Sequence, residues 1–469
     1  MKTKNTLFWI FILVSSIHSY SQDPIWRDMA GSAFLENRSY SILQRICDEA
    51  GARMMGTVQN EKAVEILKAE LENIGAPVKL EGFKAIAWFP GENSLIVKEP
   101  YEKNLKAFPA TQCVAFPKIE APLIYANYGF NEDYNGLDVN DKIVLVSGEI
   151  PTDGRKLRNM EAIEIAKNHG AKGLIIHHNA PGTMAFSTSG NYNGIPLQIP
   201  AFTTTWEEGK WLARLLEKNI PVRVEAETKS YLKEIVSNNV IVTFPGEVKD
   251  KIILGGHFDS AEKGQGAVDN GAGSAVAFEV ARLINTFSPK NYLTIEIVWF
   301  NGEETGLWGS KKYLEKHRDE PIRAMINTDG MDGFPTGFNT CGFNEFRPLL
   351  EDLVERLNGF NLTDGVTETL GTNSDHVSFY LEGIPVLRVT SKKDTPVVSH
   401  YHELGDTFDK VNKKCFSEAA AVISIMIYEL ANNKDIKTYR RNEKEIREFC
   451  TKYDVIDILK REKEWPYQY

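Results

Sequence analysis

Five residues in short, well-separated segments combine the side-chain types that bind pairs of divalent metal ions. The segments GGHFDS, GAVDNGAGSAV, WFNGEETGLWGS, INTDGMD and SHYHELGDT contain, in order, His257, Asp269, Glu304, Asp329 and His402. Two imidazoles and three carboxylates can hold two zinc ions if each ion takes one His and one terminal carboxylate and one Asp spans both. Two-metal hydrolytic sites hold their ions roughly 3.5–4 Å apart around an attacking water. The residue set therefore predicts a two-zinc hydrolytic centre with Asp269 as the bridge.

Two acidic neighbours of these residues have candidate roles of their own. Glu303 precedes Glu304, and because adjacent side chains diverge, Glu303 is expected to act as the general base and acid of the reaction. Asp259 lies two residues after His257 and would face the same way in an extended chain, so it is expected to hold the other ring nitrogen or to shape the loop. For Asp269 the alternative is an ordinary helix N-cap, because it precedes a helix of small residues.

A further segment, SDHVSFYLEGIPV, adds Asp375 and His376 to the candidates. Both side chains are expected to line the pocket, where His376 would act in catalysis by stabilising a tetrahedral oxyanion. The alternative interpretation is structural, with Ser374 and Asp375 capping a helix whose Phe379 packs in the core. The sequence leaves both interpretations open.

The elements that must position these residues follow an alternating pattern from residue 237 onward. Apolar strands interleaved with helices predict an α/β fold with a central, largely buried sheet. The predicted strands are 240–244, 252–254, 293–300, 324–328 and 385–389, and the predicted helices are 273–284, 308–316, 346–358 and 416–431. The first four candidate segments are each expected to follow a strand directly, where the ligand sites of open α/β sheets collect.

The N-terminal half of the chain has a different organisation. An amphipathic helix is predicted at 57–75, with its apolar residues on one face and Gly75 at its end. From about residue 113, short β-like pieces surround two further helices. The predicted pieces are 122–125, 142–146, 173–177 and 221–225, and the helices are 160–168 and 206–218. Residues 436–469 are highly charged and are expected to form a peripheral helical tail.

Composition and charge exclude several classes of function. The 469 residues carry a formal net charge of −10 without a Lys/Arg cluster, so binding to nucleic acid or to an anionic membrane is not expected. Residues 1–21 combine two lysines, an apolar run and small residues, a pattern that predicts a signal peptide and export to the periplasm or the extracellular space. The five cysteines fit neither a thiolate zinc site nor a disulfide scaffold.

The motifs His-x-Asp, Asp-Asn-Gly, Glu-Glu-x-Gly-Leu-x-Gly-Ser, Asn-x-Asp, Ser-Asp-His and His-x-x-x-Asp-Thr occur here in that order. In these motifs the chain resembles the zinc exopeptidase family of secreted bacterial leucyl aminopeptidases, glutamate carboxypeptidase and carboxypeptidase Q. The resemblance implies a mixed sheet between helices, two zinc ions per chain, and Glu303 as general acid and base. It also selects His402 over His400 as the ligand, because of the distance to Asp406 in the last motif.

The segments GLDVNDKIVLVSGEIP, EAIEIAKNHGAKGLIIHHN and IPAFTTTWEEGKWLARLL resemble a protease-associated domain inserted in the peptidase. The expected organisation is a signal peptide at 1–21, peptidase parts at 22–113 and 231–435, the insert at 114–230 and the tail at 436–469. Short peptides, including dipeptides, are the expected substrates, with cleavage at the free N-terminus. Whether the chain forms a homodimer is left open.

Several alternatives remain at this level. Glutaminyl cyclases share several of the motifs but are generally single-zinc transferases, and an inactive receptor built on the same fold would have lost ligands that are all present here. The Gly-Leu-x-Gly-Ser run after Glu304 and the insert favour a peptidase. The sequence does not separate an aminopeptidase from a dipeptidase or a carboxypeptidase of the same family.

Overall fold

The computed structural model describes residues 24–467 except 183, 187–193, 289 and 393–399. The signal peptide predicted at 1–21 lies outside the described residues. The strands, in chain order, are β1 Val78–Phe89, β2 Asn93–Glu99, β3 Lys103–Asn104, β4 Ala107–Pro109, β5 Ile119–Tyr125, β6 Ile143–Ser147, β7 Gly173–His177, β8 Ala201–Thr204, β9 Arg223–Thr228, β10 Tyr231–Phe244, β11 Lys251–His257, β12 Thr294–Phe300, β13 Ile322–Asn327, β14 Phe334–Asn339, β15 Gly365–Thr367 and β16 Val386–Lys392.

Helices precede, connect and follow these strands. In chain order they are Pro24–Leu35, Ser39–Arg45, Val58–Asn73, Asn159–Asn168, Trp206–Glu217, Ala272–Phe287, Trp308–Lys316, Arg347–Arg356, His376–Leu381, Lys413–Asn432, Glu443–Lys452 and Ile456–Arg461. The helix predicted at 57–75 begins after Thr57, whose side chain accepts a hydrogen bond from the backbone N–H of Asn60. This N-cap is the physical reason that the helix begins there.

The first sheet has the strand order β1-β10-β12-β11-β13-β16-β14-β15. Its inner strands β12, β11, β13 and β16 are mutually parallel, whereas β10 and β14 pair antiparallel with the strands at either side of this group. Every residue of β11 is buried, as expected for a parallel strand covered on both faces. The mixed sheet flanked by helices confirms the predicted fold class.

The connections place helices on both faces of this sheet. From β11 the chain moves to β12 on one side through helix Ala272–Phe287, and from β12 it moves back past β11 to β13 through helix Trp308–Lys316. Right-handed crossovers in opposite directions put these two helices on opposite faces. Helix Lys413–Asn432 packs against the first of them. By length and composition this helix could span a bilayer. However, 72% of its apolar stretch is buried inside the protein, and packing in the core accounts for its apolar composition.

The second sheet has the order β3-β2-β9-β5-β6-β7-β8-β4 and belongs to the inserted region. The predicted pieces 122–125, 142–146 and 173–177 correspond to β5, β6 and β7, which are parallel. The sheet begins earlier than the predicted boundary at residue 114, because β2 pairs with β9 and β4 pairs with β8. Residues 93–109, assigned to the peptidase part from the sequence, therefore contribute strands to the insert.

The charged tail is folded against the rest of the chain. Val455 and Leu459 are buried, and the ring of Phe449 packs on Phe343 and Tyr380. These apolar contacts hold the two tail helices on the peptidase region, next to the site described below.

Candidate active site

The parallel strands at the centre of the first sheet bring three of the candidates to one edge. His257 is the last residue of β11, Asp329 lies two residues beyond the end of β13, and Glu304 lies four beyond the end of β12. Because β11 lies between β12 and β13, the carboxyl ends of adjacent parallel strands meet here. Asp269 departs from the prediction that each segment directly follows a strand, since it lies in the turn before helix Ala272–Phe287.

The carboxylate of Asp269 lies between two histidines. His257 Nε2 is 3.1 Å from Asp269 Oδ1 and 3.9 Å from Asp329 Oδ1. On the other side, His402 Nε2 is 2.9 Å from Asp269 Oδ2 and 3.1 Å from Glu304 Oε2. These contacts define two groups of three residues, one of His257, Asp269 and Asp329 and the other of Asp269, Glu304 and His402. Within each group the potential ligand atoms all lie within 4.8 Å of one another. The five candidates thus form two groups that share Asp269, with one of its oxygens facing each group.

The structure does not favour the alternative ligand His400 or the alternative role of Asp269 as a helix N-cap. Among the described residues, His400 belongs to neither group of potential ligands. Asp269 makes no side-chain cap to the helix that follows it, and the N-cap position is held by Gly271. The geometry therefore favours His402, Asp329 and an inward-facing Asp269.

Negative charge dominates this cluster. Burial opposes protonation of His257, but the carboxylates of Glu303 and Asp269 outweigh it and raise the pKa of His257 well above its ordinary value. The same balance, with Glu304 and Asp269, raises the pKa of His402. Crowded buried carboxylates are stabilised by cations. In the described part of the chain Glu304 Oε1 is buried without a hydrogen-bond donor, so both the charge and the donor set suit divalent metal ions.

Backbone contacts hold Asp269 in position. Asp406 accepts hydrogen bonds from the backbone N–H groups of Val268 at 2.7 Å and Asp269 at 3.2 Å. The buried guanidinium of Arg53 donates to three carbonyl oxygens of the loop 258–266 at 2.6–2.9 Å. The peptide bond that follows Asp269 is cis. The loop that carries the shared carboxylate is therefore fixed from two sides.

Asp259 joins two of the segments. His257 Nδ1 is 3.1 Å from the backbone carbonyl oxygen of Asp259, so the main chain holds the second ring nitrogen. The Asp259 carboxylate instead accepts hydrogen bonds from the backbone N–H groups of Glu303 at 3.1 Å and Glu304 at 3.4 Å. Burial raises the pKa of Asp259 to about 6. The sequence offered two roles for Asp259, holding the second ring nitrogen of His257 or shaping the loop. The contacts of its carboxylate favour the second role.

Glu303 lies beside both groups and lines the cavity into which they open. Burial raises its pKa well above 4.5, with the charge of His257 opposing the shift and that of Glu304 adding to it. A carboxyl group whose pKa is raised can receive and release a proton near neutral pH. This property suits the predicted role of general base and acid.

His376 was predicted to line the pocket, but the structure places it behind the cavity wall. It is fully buried at the start of helix His376–Leu381, and its Nδ1 is 3.0 Å from the side-chain nitrogen of Asn327. Burial, and then the charge of Arg388, lower the pKa of His376 well below its ordinary value. Neither His376 nor Asp375 is among the residues that line the cavity. The geometry does not support contact between His376 and a tetrahedral oxyanion. Phe379 is buried in the core, as the structural alternative predicts, but Asp375 at the N-cap position makes no side-chain cap.

The two groups open into a cavity of about 870 Å³ whose opposite side is formed by the inserted region. His178 follows β7 of the insert, and its Nε2 is 2.7 Å from Glu403 Oε1. Phe186 of the insert also pairs with Glu403 through a backbone bridge. Glu403 follows His402 in the chain, so the insert contacts the loop that carries one potential metal ligand.

Comparisons with known proteins show two sequence families in this chain. The sequence profile of Peptidase family M28 matches residues 239–427, and that of the PA domain matches residues 119–212. The region that carries all five candidate ligands is therefore the one that resembles peptidase family M28. Carboxypeptidase Q from Bos taurus is 25% identical to this chain over 414 residues, which cover 86% of the chain and 87% of that protein.

Solved structures share the fold of this chain. The structure of a Peptidase M28 precursor from Shewanella amazonensis matches it with a TM-score of 0.76 at 22% identity, covering 89% of this chain and 98% of that one. A zinc aminopeptidase from Bacillus subtilis matches with a TM-score of 0.67 at 21% identity, covering 86% and 96%. Together with the two profile matches, these similarities make the chain a metallo-exopeptidase with an inserted PA domain.

Several residues beside the candidate ligands are not among the site residues predicted from the sequence. They are His178 and Glu403, which contact each other, and Glu462 and Glu464 of the tail. All four line the cavity. The only local signal was the pair of histidines that ends β7, because contacts between the insert, the tail and the peptidase region depend on tertiary packing.

Proposed function

We propose that this chain is a two-zinc exopeptidase that removes the N-terminal residue from short peptides. The position of Asp269 carries the proposal, because its two carboxylate oxygens lie 3.1 Å and 2.9 Å from imidazole nitrogens of separate groups. One ion would be held by His257, Asp269 and Asp329, and the other by Asp269, Glu304 and His402. Three protein ligands per ion leave a position for water or substrate, as catalytic zinc sites require.

Zinc, when bound, supplies a Lewis acid that polarises the scissile carbonyl and makes water nucleophilic at neutral pH. The chain itself supplies proton transfer. Glu303 takes a proton from the attacking water at its carboxylate and delivers it to the nitrogen of the departing amine. Asp259 holds the backbone N–H of Glu303 at 3.1 Å and so keeps this carboxylate beside the two groups.

The cavity supports a preference for the ends of peptides. Its volume of about 870 Å³ lies within the usual range for small-molecule sites, about 300–1,000 Å³. The PA insert covers it on one side, so a short peptide can enter whereas the middle of a folded protein cannot. Acidic side chains in the cavity, such as Glu303, favour a substrate whose terminal amine is free and charged.

A matched panel of peptides tests this proposal. The zinc-loaded protein should release the first residue of Leu-Ala-Ala and of Leu-Ala, and acetylation of the terminal amine should remove most of the activity. Elemental analysis of protein purified without chelator should approach two zinc equivalents. Full activity with one equivalent would contradict the two-metal centre. Release of pyroglutamate from glutaminyl peptides without cleavage of a peptide bond would identify a cyclotransferase instead.

A carboxypeptidase is the second candidate. Lys156 of the insert lines the cavity with an exposed side chain and has no hydrogen-bond or ion-pair partner among the described residues. Such a cation can bind the terminal carboxylate of a substrate, and carboxypeptidase Q is a relative of the chain. If this candidate is correct, amidation of the C-terminus should remove activity and acetylation of the N-terminus should not.

A further inference from the structure

The C-terminal tail reaches the cavity that contains the candidate metal ligands. Glu462 and Glu464 line this cavity. Glu462 is 4% exposed, and its carboxylate forms an ion pair with Arg158 of the PA insert, which lines the same cavity. Burial raises the pKa of Glu462 to about 7, and the charge of Arg158 opposes that shift. The ion pair therefore joins the tail to the insert at the margin of the cavity.

A second contact joins the tail to the catalytic loop. Lys311 Nζ lies 2.9 Å from the carboxylate of Glu464 and donates to the backbone carbonyl of Gly306 at 3.0 Å. Gly306 is two residues beyond Glu304. The tail thus contacts the insert on one side, and on the other it contacts Lys311, which in turn donates to the loop that follows Glu303 and Glu304.

The tail is anchored where it makes these contacts. Leu459 is fully buried, and its carbonyl accepts a hydrogen bond from the backbone N–H of Trp465 at 3.2 Å. The hydroxyl of Tyr467 donates to the carbonyl of Leu381 in the peptidase region. The chain is therefore anchored both before and after Glu462, so residues 456–467 are held in a fixed position beside the cavity.

We propose that residues 456–467 form a wall of the substrate cavity and that the Arg158–Glu462 ion pair limits the number of peptide residues that the cavity admits. The inference rests on the proposed peptidase function. An extended peptide advances about 3.3–3.6 Å per residue, so removing these two long side chains makes room for one or two more residues. The expected ligands are therefore short peptides, because residues 456–467 limit how many peptide residues fit in the cavity.

The test compares substrates of two to six residues with the same N-terminal residue. Arg158 and Glu462 are changed to Ala together, because removing Arg158 alone would leave a buried carboxylate without its cation. In the zinc-loaded double variant, the ratio of kcat/KM for a pentapeptide to that for a dipeptide should rise about tenfold, the size of effect that a small change in pocket volume produces. Arg461→Ala is the matched control. Arg461 pairs with Glu161 of the insert at 3.4 Å, but neither residue lines the cavity.

The outcomes separate this inference from the proposed function. A ratio unchanged within twofold in a folded double variant would overturn the wall, as would an equal rise in Arg461→Ala. If the double variant does not fold, Glu464→Ala tests the same wall at a second point, with the same ratio as readout. If the native protein cleaves no peptide of the series, the proposed function fails. Calorimetric titration of the same peptides then still reports whether affinity falls with length and whether the double variant relieves that fall.

Discussion

The contact between the PA insert and the loop of His402 is the most informative one to break. His178 Nε2 lies 2.7 Å from Glu403 Oε1, and the two side chains are 13% and 2% exposed. Changing His178 to Ala leaves the Glu403 carboxylate buried without its partner, next in sequence to His402. We expect His178→Ala to lower the free energy of unfolding and to weaken zinc binding by the group that contains His402.

The burial of the His178–Glu403 pair determines how much His178→Ala should lower the free energy of unfolding. Hydrogen bonds that involve a charged group contribute about 1.5–3 kcal/mol, whereas removing one partner of a buried ion pair costs about 3–5 kcal/mol. Because His178 keeps some exposure, we expect about 3 kcal/mol for His178→Ala, the low end of the second range. Glu403→Ala and the double variant complete a mutant cycle, for which the expected coupling energy is about 2 kcal/mol.

The coupling should also depend on pH. Burial disfavours the charged form of His178, but the hydrogen bond and charge of Glu403, together with the hydrogen bond to the carbonyl of Ala180, outweigh burial and raise the pKa of His178 above its ordinary value. When the folded-state pKa is raised, the stabilisation is fully present below the unfolded-state pKa and is lost as the pH rises through the folded-state pKa. We therefore expect a larger coupling energy at about pH 6 than at about pH 9.

Urea unfolding of the four proteins of the cycle, at both pH values, measures the coupling. Elemental analysis of the same samples gives their zinc content. His169→Ala is a matched control, because His169 belongs to the same insert and stacks on Tyr134 with ring centroids 4.5 Å apart. A coupling energy below about 0.5 kcal/mol would be indistinguishable from independent sites. That result, together with full zinc content in His178→Ala, would refute the reasoning.

Three further predictions follow from the assignment of the site and from the N-terminal sequence. Asp269→Asn should lower zinc content more than any other single change of a ligand, because its carboxylate faces both groups; elemental analysis showing two equivalents would contradict its bridging role. Glu303→Gln should retain zinc and lose about 10²–10⁴-fold in kcat, whereas Glu304→Gln should lose metal, and near-normal turnover of the first variant would reverse the two assignments. Mass spectrometry of the exported protein should find a mature chain that begins near Gln22, and an intact Met1 in soluble cytosolic protein would exclude the signal peptide.

Much of the fold could be predicted because its central elements have strong local signals. The strand predicted at 173–177 and the helix predicted at 308–316 agree with β7 and Trp308–Lys316, and the helix predicted at 416–431 lies within Lys413–Asn432. Strands β2, β3 and β4 were missed, since they are short or partly exposed. β2 and β4 pair with β9 and β8, which lie 93–135 residues further along the chain, and β3 pairs with β2. The early start of the insert follows from the same long-range pairing.

The candidate ligands were predictable for a different reason. His257 and Asp329 are recognisable because each follows an apolar strand, and the chemistry of a metal site restricts its ligands to a few residue types. His376 is a polar residue in a similar context, yet it is buried against Asn327 and not directed at the cavity. Residue type and spacing do not distinguish a side chain that enters the site from one that packs behind it. That difference depends on the direction of the helix that begins at His376.

The structure also suggests why the insert and the tail accompany this catalytic sheet. His257, Asp329 and Glu304 follow buried parallel strands, whereas His402 lies in a loop whose next residue, Glu403, is held by the insert. The first group thus takes His257 and Asp329 from the sheet and Asp269 from the turn held by Asp406, whereas the second group also includes His402, whose loop contacts the insert. The insert bounds the cavity and contacts the loop of His402, so we expect a change in how it docks to alter substrate access and metal affinity together.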